Sequence, residues 1–377
     1  MKSFSSRILI FLVTILFVIS CEKEKKTSLN EGNGKDREQI LKRYADSLVI
    51  PAYADFKIHL DNMLGSANTF ISGPNINHLI DFRNKWEQAY ISWQTVELFD
   101  FGPAELHTLR SFYNIYPADV AGINTNFSNT GNSLEVPASY PQQGFPALDY
   151  LINGVASNDT LIIDFYTHPT EGSKRLAYIQ RLCNRMNELF TLVNAEWSGS
   201  FKSDFISKSG LDINASTSKM VNGFVLHFER YIRSGKIGIP SGVLNNGIIA
   251  PEKSEAFYKK GLSKLLLKQA HQSFVNFFKG QSFFNGQSSA SLSGYLDALD
   301  AKDQTSGQLL SQIILNQMNL VTVKIDELGP DIAEQITNNP RSTDALYNEM
   351  QTLVRLLKVD MTSAMSITIT YTDNDGD

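Results

Sequence analysis

Two acidic side chains, Glu97 and Asp149, stand in otherwise apolar stretches of the sequence. Glu97 lies between Trp93 and Phe101, and Asp149 is followed directly by Tyr150. A carboxylate in apolar surroundings costs free energy unless it is paired with another group. Each of these acids therefore needs either a ligand or a partner within the protein.

For each acid, both a bound ligand and a partner within the protein are possible. Glu97 and Asp149 could face each other across a cavity and hold a ligand or a hard metal ion, which carboxylates suit. Alternatively, Glu97 forms an ion pair with Arg83 or Arg110, and Asp149 turns to solvent or is bonded to neighbouring backbone. We take Glu97, Asp149 and Arg83 as candidate ligand-binding residues and the two acids as candidate metal ligands.

The histidines give little sign of a hydrolytic metal site. No HExxH motif occurs, and no two of the six histidines stand at metal-ligand spacing. A hydrolytic zinc site needs about three protein ligands and one open position for water. His227 and Glu229 are two residues apart on a predicted helix and do not share a face. The pattern favours a core-facing His227 and a solvated Glu229, and no catalytic residue is assigned.

Apolar residues recur every three or four positions along most of the chain, which is typical of amphipathic helices. The pattern predicts an all-α fold, with a kink at Pro51 in the first helix. Trp86 and Trp93 form an aromatic stripe on the second helix that is expected to face the core. The predicted helices cover residues 40–63, 79–98, 176–192, 220–232, 262–278, 309–325 and 346–357.

Less regular segments separate these helices. Long loops are predicted at 112–143, 154–172 and 235–252, the first rich in Asn, Ser, Gly and Pro. A Ser- and Gly-rich stretch near 200–215 predicts a hinge between two helical halves, about 36–205 and 206–377. Residues 366–371 alternate and are β-branched, but one strand makes no sheet, so an extended tail packed on the helices is expected.

The N-terminus has the features of an export signal. Lys2 and Arg7 precede an apolar run over 8–19, which is followed by Ser20 and Cys21. This pattern predicts a signal peptide over 1–20, a lipid anchor on Cys21 and a flexible tether over 21–35. The expected partner is a membrane, reached through the lipid, and the expected location is the cell envelope.

Composition excludes one class of partner. The formal net charge is −5 and no long basic stripe exists, so nucleic acid is not an expected ligand. A hydrophobic content of 42% is sufficient for a core. With Cys21 lipidated, Cys183 has no partner for a disulfide and is expected to be a small core residue. The acidic end of the chain, with Asp373, Asp375 and Asp377, is expected to be a solvated tail.

Five segments stand in order along the chain: RxxW at 83–86 leading into WQTVELFDFGP at 93–103, YPAD at 116–119, GFPALDYLI at 144–152, KIGIP at 236–240 and ITYTDNDGD at 369–377. Together they resemble the imelysin-like proteins, the M75 peptidase family that includes iron-regulated protein A. Their order and spacing look like the Bacteroidetes branch of the family. The resemblance covers about residues 36–377.

The resemblance implies an all-helical fold of two bundle-like halves, an exported location and a link to iron. It also implies a metal site at a GxHxxE motif, whose His and Glu share one helix face. Here Gly144 matches the Gly, Pro146 stands in place of the His and Asp149 in place of the Glu. Gly144 and Pro146 therefore join the candidate ligand-binding residues, and proline offers no metal ligand.

These observations predict a cell-envelope lipoprotein that binds a ligand or metal without catalysis and serves iron acquisition. Iron or another metal ion is the only cofactor suggested. One alternative is an M75-type metallopeptidase in which Asp149 and other residues replace the usual pair. Another is an interaction protein whose ancestral site has decayed.

Overall fold

Helices account for the regular structure in the described part of the chain, as the periodicity predicted. The computed structural model describes residues 34–129, 131–282, 286, 288 and 290–372, and within these ranges it contains no β-strand. The predicted signal peptide, Cys21, all but the end of the tether and the acidic residues from 373 onwards lie outside the described residues. Within these ranges, no helix is both long enough and apolar enough to cross a bilayer.

The helices follow one another in this order: α1 (Gly34–Arg43), α2 (Ile50–Ser72), α3 (Ile76–Val96), α4 (Pro103–Leu106), α5 (Leu109–Tyr113), α6 (Val120–Ser128), α7 (Gly144–Asp149), α8 (Asp159–Thr167), α9 (Gly172–Ser198), α10 (Phe201–Ser207), α11 (Ser216–Leu226), α12 (Ser263–Phe278), α13 (Leu292–Ala298), α14 (Leu310–Asp326), α15 (Ile332–Asn338), α16 (Asp344–Arg355) and α17 (Thr362–Ala364). Four π-helical segments cover Tyr44–Val49, Tyr150–Gly154, His227–Gly238 and Leu356–Met361. Short 3-10 turns cover Glu97–Phe99, Pro137–Gln142 and Pro251–Lys253.

The first predicted helix departs from α geometry just before Pro51. The Tyr44–Val49 π-helical segment joins α1 to α2, and Pro51 is the second residue of α2. Proline cannot donate to the carbonyl four residues earlier and its ring crowds that carbonyl. The wider π-turn accommodates this, so the helix continues through the proline.

Two of the predicted loops contain short helices. α6 lies within 112–143 and α8 within 154–172, so these segments are not the long irregular loops that the composition predicted. Asp119 accepts a hydrogen bond from the Gly122 N–H, and Asn158 accepts one from the Leu161 N–H. Asp and Asn favour turns and also cap helix N-termini, so the same residues indicate either a loop or a helix start. The third predicted loop begins later than expected, because π-helical geometry extends to Gly238.

One continuous apolar core joins the helices. α2 packs against α3 and α9, and α12 packs against α3 and α14. Trp86 and Trp93 are fully buried, which confirms that the aromatic stripe faces the core. Cys183 is also buried, and burial raises the pKa of its thiol to about 12. The division of the chain into two halves near residue 205 stays a prediction.

The C-terminal tail is extended and packed on the helices, as predicted. The Asn222 side chain donates to the Thr368 carbonyl at 3.0 Å and accepts from the Thr370 N–H at 2.8 Å. The Tyr371 hydroxyl donates to Glu229 at 2.8 Å. The Asn222 amide thus pairs with both kinds of backbone group in the tail and fixes it against α11.

Candidate functional site

The segment that resembles the metal motif forms α7. Gly144 begins the helix with φ = +72°, and a Cβ at this position would lie 2.2 Å from the Tyr113 carbonyl oxygen. Only glycine fits there, because both the backbone angle and the space exclude a side chain. Pro146 is the third residue of α7, where the backbone N–H has no partner within the helix in any case. The altered motif therefore keeps its helical form.

Asp149 ends α7 and is buried. Its Oδ1 accepts from Asn153 Nδ2 at 3.0 Å, and its Oδ2 accepts from the Tyr258 backbone N–H at 2.9 Å. Asp149 is therefore turned away from solvent, and it bonds both to a side chain one turn further along the chain and to backbone of a distant segment. Burial raises the pKa of this carboxyl to about 7, although the hydrogen bonds from Tyr258 and Asn153 act in the opposite direction.

The raised pKa of Asp149 predicts a pH-dependent stability difference between the wild type and Asp149→Asn. A carboxyl whose pKa is higher folded than unfolded stabilises the fold below the unfolded pKa, near 4, and loses this contribution as pH rises through about 7. Between pH 5 and pH 7 the wild type should lose about 2 kcal/mol relative to the variant. Urea unfolding at four pH values measures this difference. The contributions of other titrating groups to the pH dependence cancel, because both proteins contain the same groups. Parallel stability curves would contradict the assignment.

Glu97 follows α3 directly and forms a buried ion pair. Its Oε1 lies 3.1 Å from Arg110 Nε, and the Glu97 and Arg110 side chains are only 1% and 10% exposed. Arg83, the other cation considered from the sequence, lies elsewhere: it donates to the Ile152 carbonyl and to Asp159. Arg83 thus anchors the segment after the altered motif and does not contact Glu97.

A network of buried polar side chains extends from Glu97. Asn114 Nδ2 donates to Glu97 Oε1 at 3.0 Å and to Glu255 Oε1 at 2.8 Å. Gln94 Nε2 also donates to Glu255 Oε1, at 3.1 Å, and Lys236 donates to the other oxygen of Glu255. Five residues from distant parts of the chain are therefore joined around two carboxylates.

Tyr90 connects this network to the altered motif. Its hydroxyl donates to Asn114 Oδ1 at 2.6 Å, and its ring stacks on Phe145 with centroids 4.5 Å apart. The pKa of Tyr90 is raised well above its usual value, mainly by burial and further by nearby carboxylates that include Glu97 and Asp149. The two acids singled out from the sequence thus both act on one tyrosine, although each has its own hydrogen-bond partners.

Several buried polar atoms around Arg110 have no hydrogen-bond partner within the described residues. They are Glu97 Oε2, Arg110 Nε and both ring nitrogens of His227, whose ring contacts the same Tyr231 ring that Arg110 covers. Burial lowers the pKa of His227 well below its usual value, and the charges of Arg110 and Lys236 lower it further. The imidazole is therefore neutral at physiological pH, with one nitrogen able to donate and the other able to accept.

His227 is buried, as predicted, but the prediction for Glu229 was wrong. Glu229 is also buried and bonds to Lys358 at 3.0 Å and to the Tyr371 hydroxyl. The His227–Gly238 segment contacts the polar network through Lys236 and the C-terminal tail through Glu229. A face that looked solvated in the sequence is therefore buried.

The donor set does not fit a resident metal ion held by Glu97 and Asp149. Both oxygens of Asp149 accept N–H bonds, and Glu97 faces a guanidinium. Among the described residues, no group of three or more His, Cys, Asp or Glu side chains is placed to hold a metal. The assignment of the two acids as metal ligands is therefore not carried into the proposals below.

The sequence model of the family described as imelysin, the M75 peptidases, matches residues 49–359. The chain belongs to the imelysin family. The match includes α7, the network around Glu255 and every helix between α3 and α16. The resemblance inferred from the five segments is thereby confirmed at the level of the family.

Individual relatives agree with this assignment. Iron-regulated protein A of Synechococcus elongatus is 22% identical over 207 residues, which are 54% of this chain and 54% of that protein, so the chain spans about half the length of the curated relative it matches. A crystal structure assigned to an iron-regulated protein A precursor from Parabacteroides distasonis has a TM-score of 0.70 at 16% identity, covering 90% of this chain and 97% of that one. An imelysin-like protein from Psychrobacter arcticum has a TM-score of 0.65 at 17% identity, covering 90% and 98%. At these identities the two structures show that the imelysin fold is shared.

Sequence reasoning missed most of the polar network. Gln94 and Lys236 lie inside segments that carry the resemblance to imelysin, which was a usable signal. Asn114 lay in a predicted loop, and Glu255 follows another. Nothing in the local pattern of either residue indicates that it is buried, because the burial results from packing between distant segments.

Proposed function

We propose that this imelysin-family protein is a lipid-anchored protein of the cell envelope that binds a small polar ligand in iron acquisition, without proteolysis. The names of its iron-regulated relatives support the process. The lipobox-like Ser20-Cys21 and the apolar run before it support the anchor. The proposed ligand position is beside Glu97, Arg110 and His227.

The unpartnered atoms at Glu97 and His227 carry this proposal. Leaving a buried donor or acceptor without a partner costs roughly 1–3 kcal/mol per group. Native proteins retain few such groups, and each calls for a reason such as a bound molecule or a function. A ligand that offers both a donor and an acceptor would satisfy the carboxylate oxygen and the neutral imidazole together.

Iron enters this proposal as cargo rather than as a resident cofactor. A ferric complex with hydroxycarboxylate ligands would present anionic oxygens to Arg110 and a hydroxyl or protonated carboxyl group as a donor to Glu97 Oε2. The guanidinium carbon of Arg110 also lies 3.3 Å from the Tyr231 ring centroid. Arginine recognises carboxylates through a planar set of N–H donors. The metal would then be held by its own ligands and not by the protein.

Ferric citrate tests the proposal in a thermal unfolding series. We expect the melting temperature of the wild type to rise with ferric citrate concentration, as for any ligand that binds only the folded state. Glu97→Gln should need at least ~10-fold more of the complex for the same shift, which corresponds to about 1.4 kcal/mol. Glu135→Gln, at an exposed side chain, is the control and should respond like the wild type.

Two other results would replace the proposal. The M75-type peptidase is favoured by one observation, the Asp149 carboxyl with a pKa of about 7, which is the range useful for general acid–base catalysis. Cleavage of casein that disappears in Asp149→Asn would establish it. Absence of both binding and cleavage would favour the interaction protein.

A further inference from the structure

Lys236 forms the most deeply buried ion pair among those of the described residues. The side chains of Lys236 and Glu255 are each 2% exposed, and the ammonium contacts Glu255 Oε2. A second hydrogen bond runs from Lys236 Nζ to Gln94 Oε1 at 2.7 Å. Two oxygens from different segments thus converge on a single cationic nitrogen in the protein interior.

The wider network contains equal numbers of carboxylates and cations. Glu255 is paired with Lys236, and Glu97 with Arg110. Asn114 bridges the two carboxylates through its amide nitrogen. A divalent ion entering this network would meet two fixed positive charges at close range, and repulsion between like charges in a medium of low dielectric constant is strong.

We propose that the ammonium of Lys236 is a built-in cation that takes the position a divalent metal would otherwise occupy between Glu255 and Gln94. The imelysin resemblance implies a metal, and the donor set at Glu97 and Asp149 does not fit one. Lys236 gives a physical reason why these interior carboxylates need none. This inference concerns Lys236 and Glu255 and is independent of the ligand proposed at Glu97.

If Lys236 takes the place of a metal ion, removing its ammonium group should create a site that binds one. In Lys236→Ala the two oxygens that faced Nζ would line a polar space of a size that water fills. Carboxylate, carbonyl and water oxygens are ligands that Mn²⁺ prefers. A divalent ion in that space would restore the lost positive charge, with water molecules completing its coordination.

Thermal unfolding with and without 1 mM MnCl₂ measures this gain, alongside titration of bound Mn²⁺ by electron paramagnetic resonance. We expect Lys236→Ala to melt roughly 5 °C below the wild type and to regain at least half of that loss with Mn²⁺. The wild type should show neither a shift nor bound Mn²⁺. Lys236→Ala/Glu255→Gln should lose the response, because the carboxylate that would bind the ion is gone.

Lys358→Ala is the matched control, since Lys358 also pairs with a buried carboxylate, that of Glu229, at 3.0 Å. It should be destabilised without recovering in Mn²⁺. An equal Mn²⁺ response in both alanine variants, no response in Lys236→Ala, or Mn²⁺ bound to the wild type would overturn the proposal. If Lys236→Ala does not fold unaided, the yield of folded protein after refolding with and without Mn²⁺ decides: metal-dependent recovery supports the proposal, and equal yields refute it.

Discussion

Gly144→Ala is expected to destabilise the protein by about 3–4 kcal/mol, the sum of backbone strain at a positive φ and overpacking against a rigid neighbour. The added methyl group would lie 2.2 Å from the Tyr113 carbonyl oxygen. Neither atom can move alone, because Tyr113 is buried at the end of α5 and Gly144 begins α7. Chemical denaturation monitored by tryptophan fluorescence measures the loss.

Gly65→Ala is the control for this substitution. Gly65 lies inside α2, and a Cβ there would meet no atom within 4 Å. Because alanine favours helix over glycine by up to about 1 kcal/mol, this variant should be as stable as the wild type or more so. Equal stability of Gly144→Ala and Gly65→Ala would show that the start of α7 is not as tightly enclosed as described.

Arg110→Met is expected to cost about 3–5 kcal/mol, because it leaves the Glu97 carboxylate buried without its cation. The Glu97 side chain is 1% exposed, so bulk water solvates the unpaired carboxylate poorly. Adding Glu97→Gln to this variant should restore part of the stability, since the remaining amide is neutral. The double-mutant cycle isolates the coupling between the two side chains.

A surface pair provides the comparison for that cycle. Lys57 and Asp61 lie 2.6 Å apart on α2, with side chains 35% and 52% exposed. Lys57→Met should change stability by no more than about 0.5 kcal/mol, as is usual for exposed pairs one helical turn apart. If Arg110→Met costs as little as Lys57→Met, the Glu97–Arg110 pair is already solvated. The unpartnered oxygen of Glu97 would then need no ligand, and the proposed ligand position would be wrong.

These two substitutions bear on different parts of the site. Gly144 concerns the form of α7, which persists although Pro146 and Asp149 stand where the resemblance implies a His and a Glu. Arg110 concerns the charge balance of the interior network. This chain thus keeps α7 as a helix, while the buried carboxylates of Glu97 and Glu255 are paired with the side-chain cations Arg110 and Lys236.

Parts of the fold could be predicted because they depend on neighbours in the chain. The spacing of apolar residues was sufficient for the all-α class, the buried Trp86 and Trp93 and the extended tail. Short helices inside 112–143 and 154–172 could not be predicted, because Asp119 and Asn158 cap helices with the same side chains that favour turns. Local composition does not distinguish these two uses.

The candidate site, like the fold, could be predicted from the sequence only in part. The sequence alone identified Glu97 and Asp149 as acids in apolar surroundings, and it determined that Pro146 cannot bind a metal. Only the tertiary structure decided that Glu97 pairs with Arg110 rather than Arg83, and that Lys236 and Glu255 complete the network. Pairing between residues far apart in the chain depends on how helices pack, and helix packing is determined by the whole core rather than by any local pattern.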